Sequence, residues 1–460
     1  EQSGQIKYTA YSEADGTYTI SDVVPGTYLL VGIKSGYHNW SQSKTISSGQ
    51  NLTDQNIAMY ILSCGTLELT AYSGSEIYSP PYENYQYRYG PSIILNGNTV
   101  DMWASAPDPS PDAWDRIEHR RGTIDIDGTI QWETDWEVAL QRTPNSRDKY
   151  STCDPGVFYL SGYYYIGYTS TDQESNGGAS SNDVFVARCN DLPDGSQGVS
   201  CEKWNGNGWG GNPQPIIEYN GPEWGIGQPS FVVKDNILFI YYTDNGTKLA
   251  LADATDENWP LTLYFIENPI LINERDEIIL GGKPGPFEVK YIDDLDKFIG
   301  IGVSFEFNPQ SNIFVYESND GLNFTPIVTS RDYWEASLLQ DRAHNVGLSG
   351  DIEGHIQLNV NNFIAYGFGR PNRDPNAEYN ARWPTYLNPI SIHLGDVCEG
   401  DFDGDGDVDG TDLFFFAADF GRTDCDVGDP CEGDFDGDDD VDGSDLAIFA
   451  EDFGKTDCPQ

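Results

Sequence analysis

Residues Asp154–Ser170, DPGVFYLSGYYYIGYTS, contain an apolar run that opens with Asp-Pro, followed about ten residues later by an aromatic-rich run. Runs that open in a similar way are GPSII at Gly90, QPSFV at Gln228, GPFEV at Gly285 and GDIEG at Gly350. Successive starts lie 64, 74, 57 and 65 residues apart, and these spacings suit one blade of a β-propeller each. The pattern therefore predicts five blades.

Each start is followed by strands of the same kind. The aromatic-rich runs are VDMWASA, YYYIGYTS, ILFIYYTD, KFIGIGVS and NFIAYGFG, and a third run follows four of them: RIEHRRG, DVFVARC, KLALADA and NIFVYES. Apolar and aromatic runs of this length, bounded by turns, favour β-strands. We therefore predict a mostly β protein with a five-bladed β-propeller over residues 64–395. Its ring is expected to close where TLELTAYS, residues 66–73, joins the last blade near PTYLNPISIHL.

The composition supports a β protein and excludes two classes of partner. Of the 460 residues, 13% are aromatic, 49 are Gly and 26 are Pro, a mixture typical of short strands joined by turns. The net charge of −49 repels nucleic acid and anionic membrane surfaces. Because the sequence has no run of 18 apolar residues, we also expect no membrane insertion.

The propeller repeats resemble the family-43 glycoside hydrolase superfamily, which includes arabinanases, xylosidases and invertase-like enzymes. The resemblance implies a central pocket into which inner strands point three acidic residues: an Asp base on the first blade, a second Asp that orients and tunes, and a Glu acid on the third blade. Glycoside hydrolysis needs at least two carboxyl groups, because one protonates the leaving group while the other activates water. The resemblance therefore implies carbohydrate as the substrate or ligand.

This sequence carries the implied carboxylates only in part. The second blade opens with Asp154, but the first opens with Gly90 and the third with Gln228. Nearby acidic residues are the candidate substitutes on those blades, and two more acidic residues open the fourth and fifth. The candidate catalytic residues are Asp154, Glu223, Asp101, Glu288 and Asp351, and the candidate pocket histidines are His344 and His355. Two functions stay open: an enzyme with an incomplete carboxylate set, and a non-catalytic structural or adhesive subunit that assembles through its terminal domains.

The last 65 residues, 396–460, form a separate segment with 23 acidic and 2 basic residues. CEGDFDGDGDVDGTDLFFFAADFGRTDC, Cys398–Cys425, recurs as CEGDFDGDDDVDGSDLAIFAEDFGKTDC, Cys431–Cys458, at an offset of 33 residues. Carboxylates stand at positions 1, 3, 5, 9 and 12 of each loop, which is the EF-hand spacing for calcium. Position 7, where EF-hands use the backbone carbonyl, is also Asp. The predicted ligands of two Ca²⁺ ions are Asp401, Asp403, Asp405, Asp407, Asp409 and Asp412, then Asp434, Asp436, Asp438, Asp440, Asp442 and Asp445.

The two loops differ at position 6, where an EF-hand needs Gly for a sharp turn. The first loop has Gly406, whereas the second has Asp439, so we expect the second calcium site to be the weaker one. One short apolar helix is predicted after each loop, over LFFFAADFG and LAIFAEDFG.

The paired repeats resemble the type I dockerin, the module that binds cohesin domains in extracellular polysaccharide-degrading assemblies. The resemblance implies a small α module with paired EF-hand-like loops, and a cohesin-like domain or another subunit of the same protein as its partner. It also implies that loop positions 10 and 11 recognise the partner. In this sequence those positions are Gly410, Thr411, Gly443 and Ser444.

The eight cysteines form an even set whose spacing matches no zinc site. A Cys stands at each end of each acidic repeat, Cys189 and Cys201 flank a loop, and the last two cysteines are left to pair by elimination. The predicted disulfides are Cys398–Cys425, Cys431–Cys458, Cys189–Cys201 and Cys64–Cys153. Disulfides predict an oxidising, extracellular location.

Residues 1–63 alternate in a β pattern, and DGTYTISDVVPGTY followed by LLVGIKSGY resembles the carboxypeptidase-regulatory-like, Ig-like β-sandwich. The resemblance implies about two further strands before QIKYTAYS, and these are absent from the sequence. Either the sandwich is truncated, or a strand from another chain completes its sheet. The predicted architecture is a partial β-sandwich over 1–63, a five-bladed β-propeller over 64–395 and a small α calcium-binding dockerin over 396–460.

Overall fold

The computed structural model describes residues 18–21, 23–32, 40–47, 67–78, 87–125, 128–133, 135–175, 178–244, 246–266, 271–272, 287–304, 311–329, 342–358, 360–368, 383–394, 400–403, 407–425, 431–435 and 440–456. The chain divides into two compact units. The first unit contains Glu1–Leu62 and Leu69–Ile392, and the second contains Ser63–Glu68 and His393–Gln460.

The described amino-terminal part is a two-stranded antiparallel sheet. Strand β1 (Gly26–Gly32) pairs with β2 (Trp40–Ile46), with Gly26 opposite Ile46. The predicted strands QIKYTAYS and QNIAMYIL lie outside the described residues, so the β-sandwich stays a prediction.

The propeller strands follow in chain order. Two strands come first, β3 (Leu67–Ala71) and β4 (Ser75–Tyr78). The first blade contains β5 (Tyr89–Asn96), β6 (Thr99–Pro107), β7 (Asp115–Ile124), β8 (Ile130–Trp132) and β9 (Glu137–Leu140). The second contains β10 (Cys153–Leu160), β11 (Tyr163–Ser170), a small hairpin of β12 (Gln173–Ser175) and β13 (Gly178–Ser180), then β14 (Asp183–Cys189) and β15 (Cys201–Lys203).

The remaining three blades continue the series. The third contains β16 (Gly227–Lys234), β17 (Ile237–Thr243), β18 (Thr247–Asp253), a 3₁₀ turn at Trp259–Thr262 and β19 (Tyr264–Phe265). The fourth contains β20 (Leu271–Ile272), β21 (Phe287–Ile292), a 3₁₀ turn at Asp293–Leu295, β22 (Lys297–Ser304), β23 (Asn312–Ser318) and β24 (Asn323–Thr329). The fifth contains β25 (His344–Gly350), β27 (Asn362–Gly367) and β28 (Thr385–Leu394). Between β25 and β27 the chain forms the short strand β26 (His355–Ile356), which pairs in parallel with β21 of the fourth blade.

The main strands of each blade form an antiparallel sheet, and the inner strand comes first along the chain in every blade except the fourth, where the outer strand β20 precedes it and pairs in parallel with β24. The inner strands β5, β10, β16, β21 and β25 contact one another in sequence around a central axis. The circle is completed by β25 and β5, which pair in parallel, with Ser349 opposite Ile93. Among the described residues this gives five blades, so the mostly β fold and the propeller are confirmed.

The ring closes as predicted. Strand β3 pairs with β28 as the outer strand of the fifth blade, which places the order in that sheet as β25, β27, β28, β3. The Tyr72 amide donates to the Pro389 carbonyl at 2.9 Å, and Asn388 Nδ2 donates to the Tyr72 carbonyl at 2.9 Å. The first strand of the propeller along the chain, β3, is therefore bonded to its last strand, β28.

The hydrophobic core lies between neighbouring blades rather than inside each one. One cluster joins the second and third blades, around Phe158, Tyr165 and Trp259. Similar clusters join the third blade to the fourth, the first to the second, and the fifth to the first. Because both faces of a blade are covered, strands such as VDMWASA and YYYIGYTS are apolar on both faces.

The start of the fifth blade is a correction. The motif GDIEG at Gly350 was predicted to open it, but the inner strand is His344–Gly350, and residues 351–354 form the turn that follows. The true start, His-Asn-Val-Gly, lacks the Pro of the other starts and was missed for that reason.

The second unit contains two short helices, α1 (Gly410–Asp419) and α2 (Gly443–Asp452). Asp409 and Asp442 cap their amino ends, and each forms a capping box with the Asp three residues later. Val408, Phe416, Val441 and Phe449 form the small core between the two repeats. Among the described residues, no helix has the length and apolar character needed to cross a membrane.

Candidate functional site

Four inner strands begin with the same unusual backbone. Gly90, Asp154, Gln228 and Asn345 have φ values of +58°, +50°, +55° and +46°. In each strand this residue is followed by a shift of register against the next strand, as in a β-bulge. We call these four residues the axial ring.

Small residues two positions later allow the inner strands to approach one another. A Cβ added to Gly347 would lie 1.9 Å from the Pro91 carbonyl oxygen, and one added to Gly156 would lie 2.3 Å from the Pro229 carbonyl oxygen. Ser92 and Ser230 occupy the same position in their blades and bond the neighbouring inner strand: Ser92 Oγ accepts from the Val157 amide at 3.1 Å. The four ring residues are thus positioned by the close packing and hydrogen bonds of the inner strands.

All four ring residues line one cavity, which we call the axial cavity, together with the Pro or Val that follows each of Gly90, Asp154, Gln228 and Asn345 and with Phe287 and Glu288. Its volume is about 30 Å³. Sites for small organic ligands usually measure about 300–1,000 Å³. The cavity therefore has no room for a sugar ring between its walls.

Asp154 is the one carboxylate of the axial ring. It is 7% exposed, and its Oδ1 accepts a hydrogen bond of 2.8 Å from Asn345 Nδ2. Its amide donates to Ser105 Oγ at 2.8 Å. Gln228 Nε2 donates to Asn345 Oδ1 at 3.4 Å. Burial raises the pKa of Asp154 to about 6, although hydrogen bonds to the carboxylate oppose this shift.

Glu288 is the second carboxyl group that lines the axial cavity. It lies on β21, two residues before Lys290, and Lys290 Nζ donates to Glu288 Oε1 at 2.5 Å. Both side chains are buried. Burial raises the pKa of Glu288, while the Lys290 ammonium lowers it. The group is therefore engaged in an ion pair at the cavity wall.

Asp115 is a buried carboxyl group near the ring that the sequence did not predict. It opens β7, and the Tyr87 hydroxyl donates to its Oδ1. Burial raises the pKa of Asp115 to about 7, and the neighbouring charge of Asp154 adds to the shift. Its position at the start of a third strand, outside any repeated motif, gave no sequence signal.

His344 adjoins the ring, whereas His355 lies elsewhere. His344 is fully buried, and the centroid of its imidazole lies 4.5 Å from that of the Trp383 indole. Burial lowers the pKa of His344 to about 3. His355 Nδ1 lies 2.8 Å from Asp293 Oδ2, and its Nε2 lies 2.6 Å from the Val233 carbonyl oxygen. His344 is therefore a neutral packing group beside the cavity.

Three predicted catalytic residues do not line the axial cavity. Asp101 is buried on β6, where it bonds His119 at 2.7 Å and Arg121 at 2.8 Å. Glu223 is exposed in the loop before β16. Asp351 caps the turn after β25, because its Oδ1 accepts from the amides two and four residues later. Of the five candidates, the structure brings only Asp154 and Glu288 to one cavity.

The fifth-blade residue of the axial ring, Asn345, was also missed. A signal was present, because Gly90-Pro91-Ser92, Asp154-Pro155-Gly156, Gln228-Pro229-Ser230 and Asn345-Val346-Gly347 share an apolar residue followed by a small one. Asn also adopts a positive φ more readily than most residues.

The acidic loops of the second unit bring carboxylates together. Three groups have oxygen atoms within 4.8 Å of one another: Asp401 with Asp403 and Asp412, Asp407 with Asp409 and Asp412, and Asp440 with Asp442 and Asp445. Asp434 is a described residue but belongs to none of these groups. Asp405, Asp436 and Asp438 lie outside the described residues.

The last Asp of each loop organises the backbone. Asp412 is buried; its Oδ1 accepts from the Phe402 amide at 2.7 Å and the Asp403 amide at 3.3 Å, and its Oδ2 accepts from the Asp409 amide at 2.8 Å. Asp445 repeats the arrangement with the Phe435 and Asp442 amides, both at 2.8 Å. Each loop is therefore closed by its position-12 carboxylate.

These donor sets fit a hard divalent cation. Calcium takes six to eight oxygen ligands, and every side-chain ligand offered here is a carboxylate oxygen. With 2 basic residues against 23 acidic ones, the segment cannot neutralise its clusters with its own side chains. A bound Ca²⁺ would supply the missing positive charge. The positions predicted to recognise a partner, Gly410, Thr411, Gly443 and Ser444, are exposed at the first turns of α1 and α2.

The cysteine pairing is partly as predicted. Cys189 and Cys201 form a disulfide, which confirms that pair. Cys425 bonds Cys431, so the predicted pairs Cys398–Cys425 and Cys431–Cys458 are wrong. The reason is the fold of the repeat: the chain after α1 pairs with the second loop, through the Gly421 amide and the Val441 carbonyl at 2.7 Å, which brings the two cysteines together.

The predicted pair Cys64–Cys153 is also wrong. Cys153 is a buried free thiol on β10, and its Sγ lies 3.5 Å from the Thr169 carbonyl oxygen within the same blade. Its side chain is thus enclosed by the second blade. Cys64, Cys398 and Cys458 lie outside the described residues.

Solved structures with a similar chain path include several glycoside hydrolases. One is a family 117 glycoside hydrolase produced by the marine bacterium Zobellia galactanivorans, with 17% identity, 71% of this chain and 90% of that chain covered, and a TM-score of 0.46. Another is an α-L-arabinofuranosidase from Podospora anserina in complex with cellotriose, with 12% identity, 70% and 96% covered, and a TM-score of 0.46. A third is an α-L-arabinofuranosidase from Lactobacillus brevis, with 12% identity, 68% and 92% covered, and a TM-score of 0.44. No protein-family model matches the chain. No curated protein sequence matches it either.

Proposed function

We propose that this is an extracellular protein whose propeller binds polysaccharide without cleaving it, and whose calcium module attaches it to a partner. The observation that carries the first part is the axial ring. Four positions with one backbone geometry hold Gly90, Asp154, Gln228 and Asn345. Two of the four are amides, which bond hydroxyl groups but transfer no protons at neutral pH. Such a ring suits recognition of the hydroxyl groups of a sugar that lies outside the axial cavity.

Hydrolysis needs more than the ring offers. A glycosidase holds two carboxyl groups on opposite sides of the scissile bond, with a sugar between them. Here the third-blade position is Gln228 and the first-blade position is Gly90, and the cavity between the ring residues measures about 30 Å³. A pyranose or furanose ring would have to bind outside this space, away from Asp154.

A second candidate function is hydrolysis by Asp154 and Glu288. One observation favours it: both carboxyl groups line the axial cavity, and burial raises the pKa of Asp154 to about 6, as suits a general acid. Against it, Glu288 is held in an ion pair with Lys290 at the cavity wall. This candidate requires the cavity to open when substrate binds.

One experiment separates the two functions. Wild type, Asp154→Asn and Gln228→Ala are incubated with insoluble arabinan, xylan and cellulose, and both the bound protein and the released sugar are measured. Binding by the wild type with no released sugar is the expected result. Gln228→Ala should bind more weakly, because it removes one hydrogen-bonding group of the ring. Sugar release that disappears in Asp154→Asn would overturn the proposal in favour of the hydrolase.

The second part of the proposal concerns attachment. The acidic repeats would hold two Ca²⁺ ions through the position-12 aspartates and the carboxylates grouped with them. Gly410, Thr411, Gly443 and Ser444 would then present a surface to a cohesin-like domain or to another subunit of the same protein. The disulfides Cys189–Cys201 and Cys425–Cys431 support an oxidising, extracellular location.

A further inference from the structure

A second and larger cavity lies on the second blade, and we call it the side cavity. Its volume is about 320 Å³, which is large enough for a small ligand. Its lining is polar and contains Arg147, Asp172, Gln173, Ser181 and residues 218–221. These groups offer hydrogen-bond donors and acceptors together, which is the mixture that sugar hydroxyls require.

Arg147 is fixed in this cavity by three acidic neighbours. Its Nη2 donates to Asp183 Oδ2 at 2.8 Å, its Nη1 donates to Glu218 Oε1 at 3.0 Å, and its Nε lies 3.7 Å from Asp172 Oδ2. Asp183 is buried and also accepts from the Tyr219 amide at 2.8 Å. The cavity is thus preorganised. Its two lining carboxylates, Asp172 and Glu218, exceed its single guanidinium by one negative charge, and the buried Asp183 that Arg147 also bonds adds a second.

The loop that borders the side cavity also carries an exposed aromatic residue. The Ser181 amide donates to the Glu223 carbonyl at 2.7 Å, and the Asn182 amide and Nδ2 donate to the Trp224 carbonyl at 2.9 and 2.7 Å. These bonds hold the loop against β14. Trp224 is 42% exposed, although its backbone is fixed.

Trp224 also adjoins the axial ring. An added Cβ on Gly227 would lie 3.0 Å from Cη2 of Trp224, so the edge of the indole ring lies close to Gly227. The next residue is Gln228, a ring member, whose amide donates to Thr169 Oγ1 at 2.7 Å. The side cavity, the Trp224 ring and the axial cavity therefore follow one another across the second and third blades.

We propose that the side cavity and Trp224 form an extended binding site for an uncharged polysaccharide, with one sugar unit in the cavity and another on the indole ring. This site rests on the proposed function, because it assigns the proposed polysaccharide binding to a particular place on the propeller. An aromatic face packs against the apolar face of a sugar ring, while the cavity groups bond its hydroxyls. The excess of negative charge excludes uronic acids and sulfated sugars, because a second anion beside Asp172 and Glu218 is repelled.

The first test measures the aromatic contact. Titration calorimetry is carried out with arabinohexaose, xylohexaose, cellohexaose and hexagalacturonate, and the best neutral ligand is used with the variants. Trp224→Ala should raise Kd at least tenfold. Phe265→Ala is the matched control, since Phe265 is an aromatic residue of similar exposure, 40%, at the outer strand of the third blade. Its Kd should stay within twofold of the wild type.

The second test measures the charge. The double variant Asp172→Asn, Glu218→Gln removes two negative charges but leaves Arg147 bonded to Asp183. It should bind hexagalacturonate at least tenfold more tightly than the wild type does, and the ratio of its Kd for hexagalacturonate to its Kd for the neutral ligand should fall at least tenfold. An unchanged preference would overturn the role of these two carboxylates.

The outcomes separate this site from the proposed function. A wild type that binds none of the four oligosaccharides contradicts the proposed function, and the site falls with it. If the wild type binds a neutral ligand and the Trp224→Ala variant binds it equally well, the proposed function is kept and the site is overturned. A wild type that prefers hexagalacturonate overturns the assignment to uncharged glycans.

Discussion

The axial ring and the acidic loops are both products of repetition, but each repeats a different thing. In the ring, Gly90, Asp154, Gln228 and Asn345 share a backbone conformation while their side chains differ. In the loops, Asp412 and Asp445 share the same side chain, the same burial and the same bonds to loop amides. A position that only closes strands around an axis tolerates any side chain that fits a positive φ. Carboxylates that share one cation must all be kept.

This difference predicts opposite effects of the same chemical change. In the loops a carboxylate closes the backbone and would bind a cation, so its loss should destabilise the module. In the ring, burial raises the pKa of the Asp154 carboxylate and disfavours its charged form, so its loss should stabilise the propeller at neutral pH.

The largest effect is expected in the calcium module. Asp412→Asn removes one anionic ligand and replaces an acceptor oxygen by an amide donor, and hydrogen bonds to charged groups contribute about 1.5–3 kcal/mol each. Together with the lost calcium affinity, this should unfold α1 and α2, and EDTA should do the same to the wild type. The loss of helical circular dichroism at 222 nm in the full chain measures both.

Asp424→Asn is the control for this change. Asp424 belongs to the same module, is 74% exposed and pairs with Arg422 at 3.2 Å, so its replacement should change stability by less than about 0.5 kcal/mol. Equal effects of the two variants, or a spectrum unchanged by EDTA, would contradict the calcium assignment.

The second effect is the pH dependence of the propeller. The folded-state pKa of Asp154, about 6, lies above the ordinary value of about 3.9, so the folded state binds this proton more tightly than the unfolded state does. The contribution of Asp154 to the free energy of unfolding should therefore fall as pH rises from about 4 to about 6, by about 3 kcal/mol. Asp154→Asn should be more stable than the wild type at pH 8 and equal to it at pH 4.

Urea unfolding monitored by tryptophan fluorescence measures this difference, since the acidic segment has no Trp. Asp112→Asn, at an exposed position of the first blade, is the control and should leave the pH profile unchanged. A variant Asp154→Asn that is less stable than the wild type at pH 8 would show that the carboxylate is stabilised by a partner, as a cation or substrate site would require.

The smallest effect is expected for the disulfide of the calcium module. Cys425→Ser, Cys431→Ser opens a loop of six residues, for which chain entropy gives about 2 kcal/mol. The module should still fold in calcium but unfold at lower urea concentration. If the pairs were Cys398–Cys425 and Cys431–Cys458 instead, the double variant would leave Cys398 and Cys458 as free thiols, which a thiol assay detects.

The sequence predicted the parts of the fold that repeat. The Pro-containing starts and the aromatic runs placed the inner and second strands of four blades, and TLELTAYS was correctly joined to the last blade. The fifth blade was set at Gly350 instead of His344 because Val346 replaces the Pro of the other starts. A motif search detects repeated residue types, whereas the start of a propeller blade is defined by a backbone conformation that different residues can adopt.

The site was less predictable for the same reason. Asp154 and Glu288 lie in repeated motifs and reach one cavity, but Asp101 and Glu223 were chosen by distance along the chain, which says little about position in a sheet. Asp115 lies in no repeated motif, and Asn345 shares with the other ring positions only the apolar residue and the small residue that follow it. The disulfide between Cys425 and Cys431 depends on how one repeat packs on the other, which spacing alone does not determine.

The most direct test of the central claim is mass spectrometry of sugar products. Wild type and Asp154→Asn are incubated with the polysaccharide that the wild type binds best, in water enriched in ¹⁸O, and newly formed reducing ends are identified by their label. The account predicts binding by the wild type and no labelled product above that of the variant. Labelled oligosaccharides from the wild type alone would show that the propeller is a hydrolase that depends on Asp154, and would contradict it.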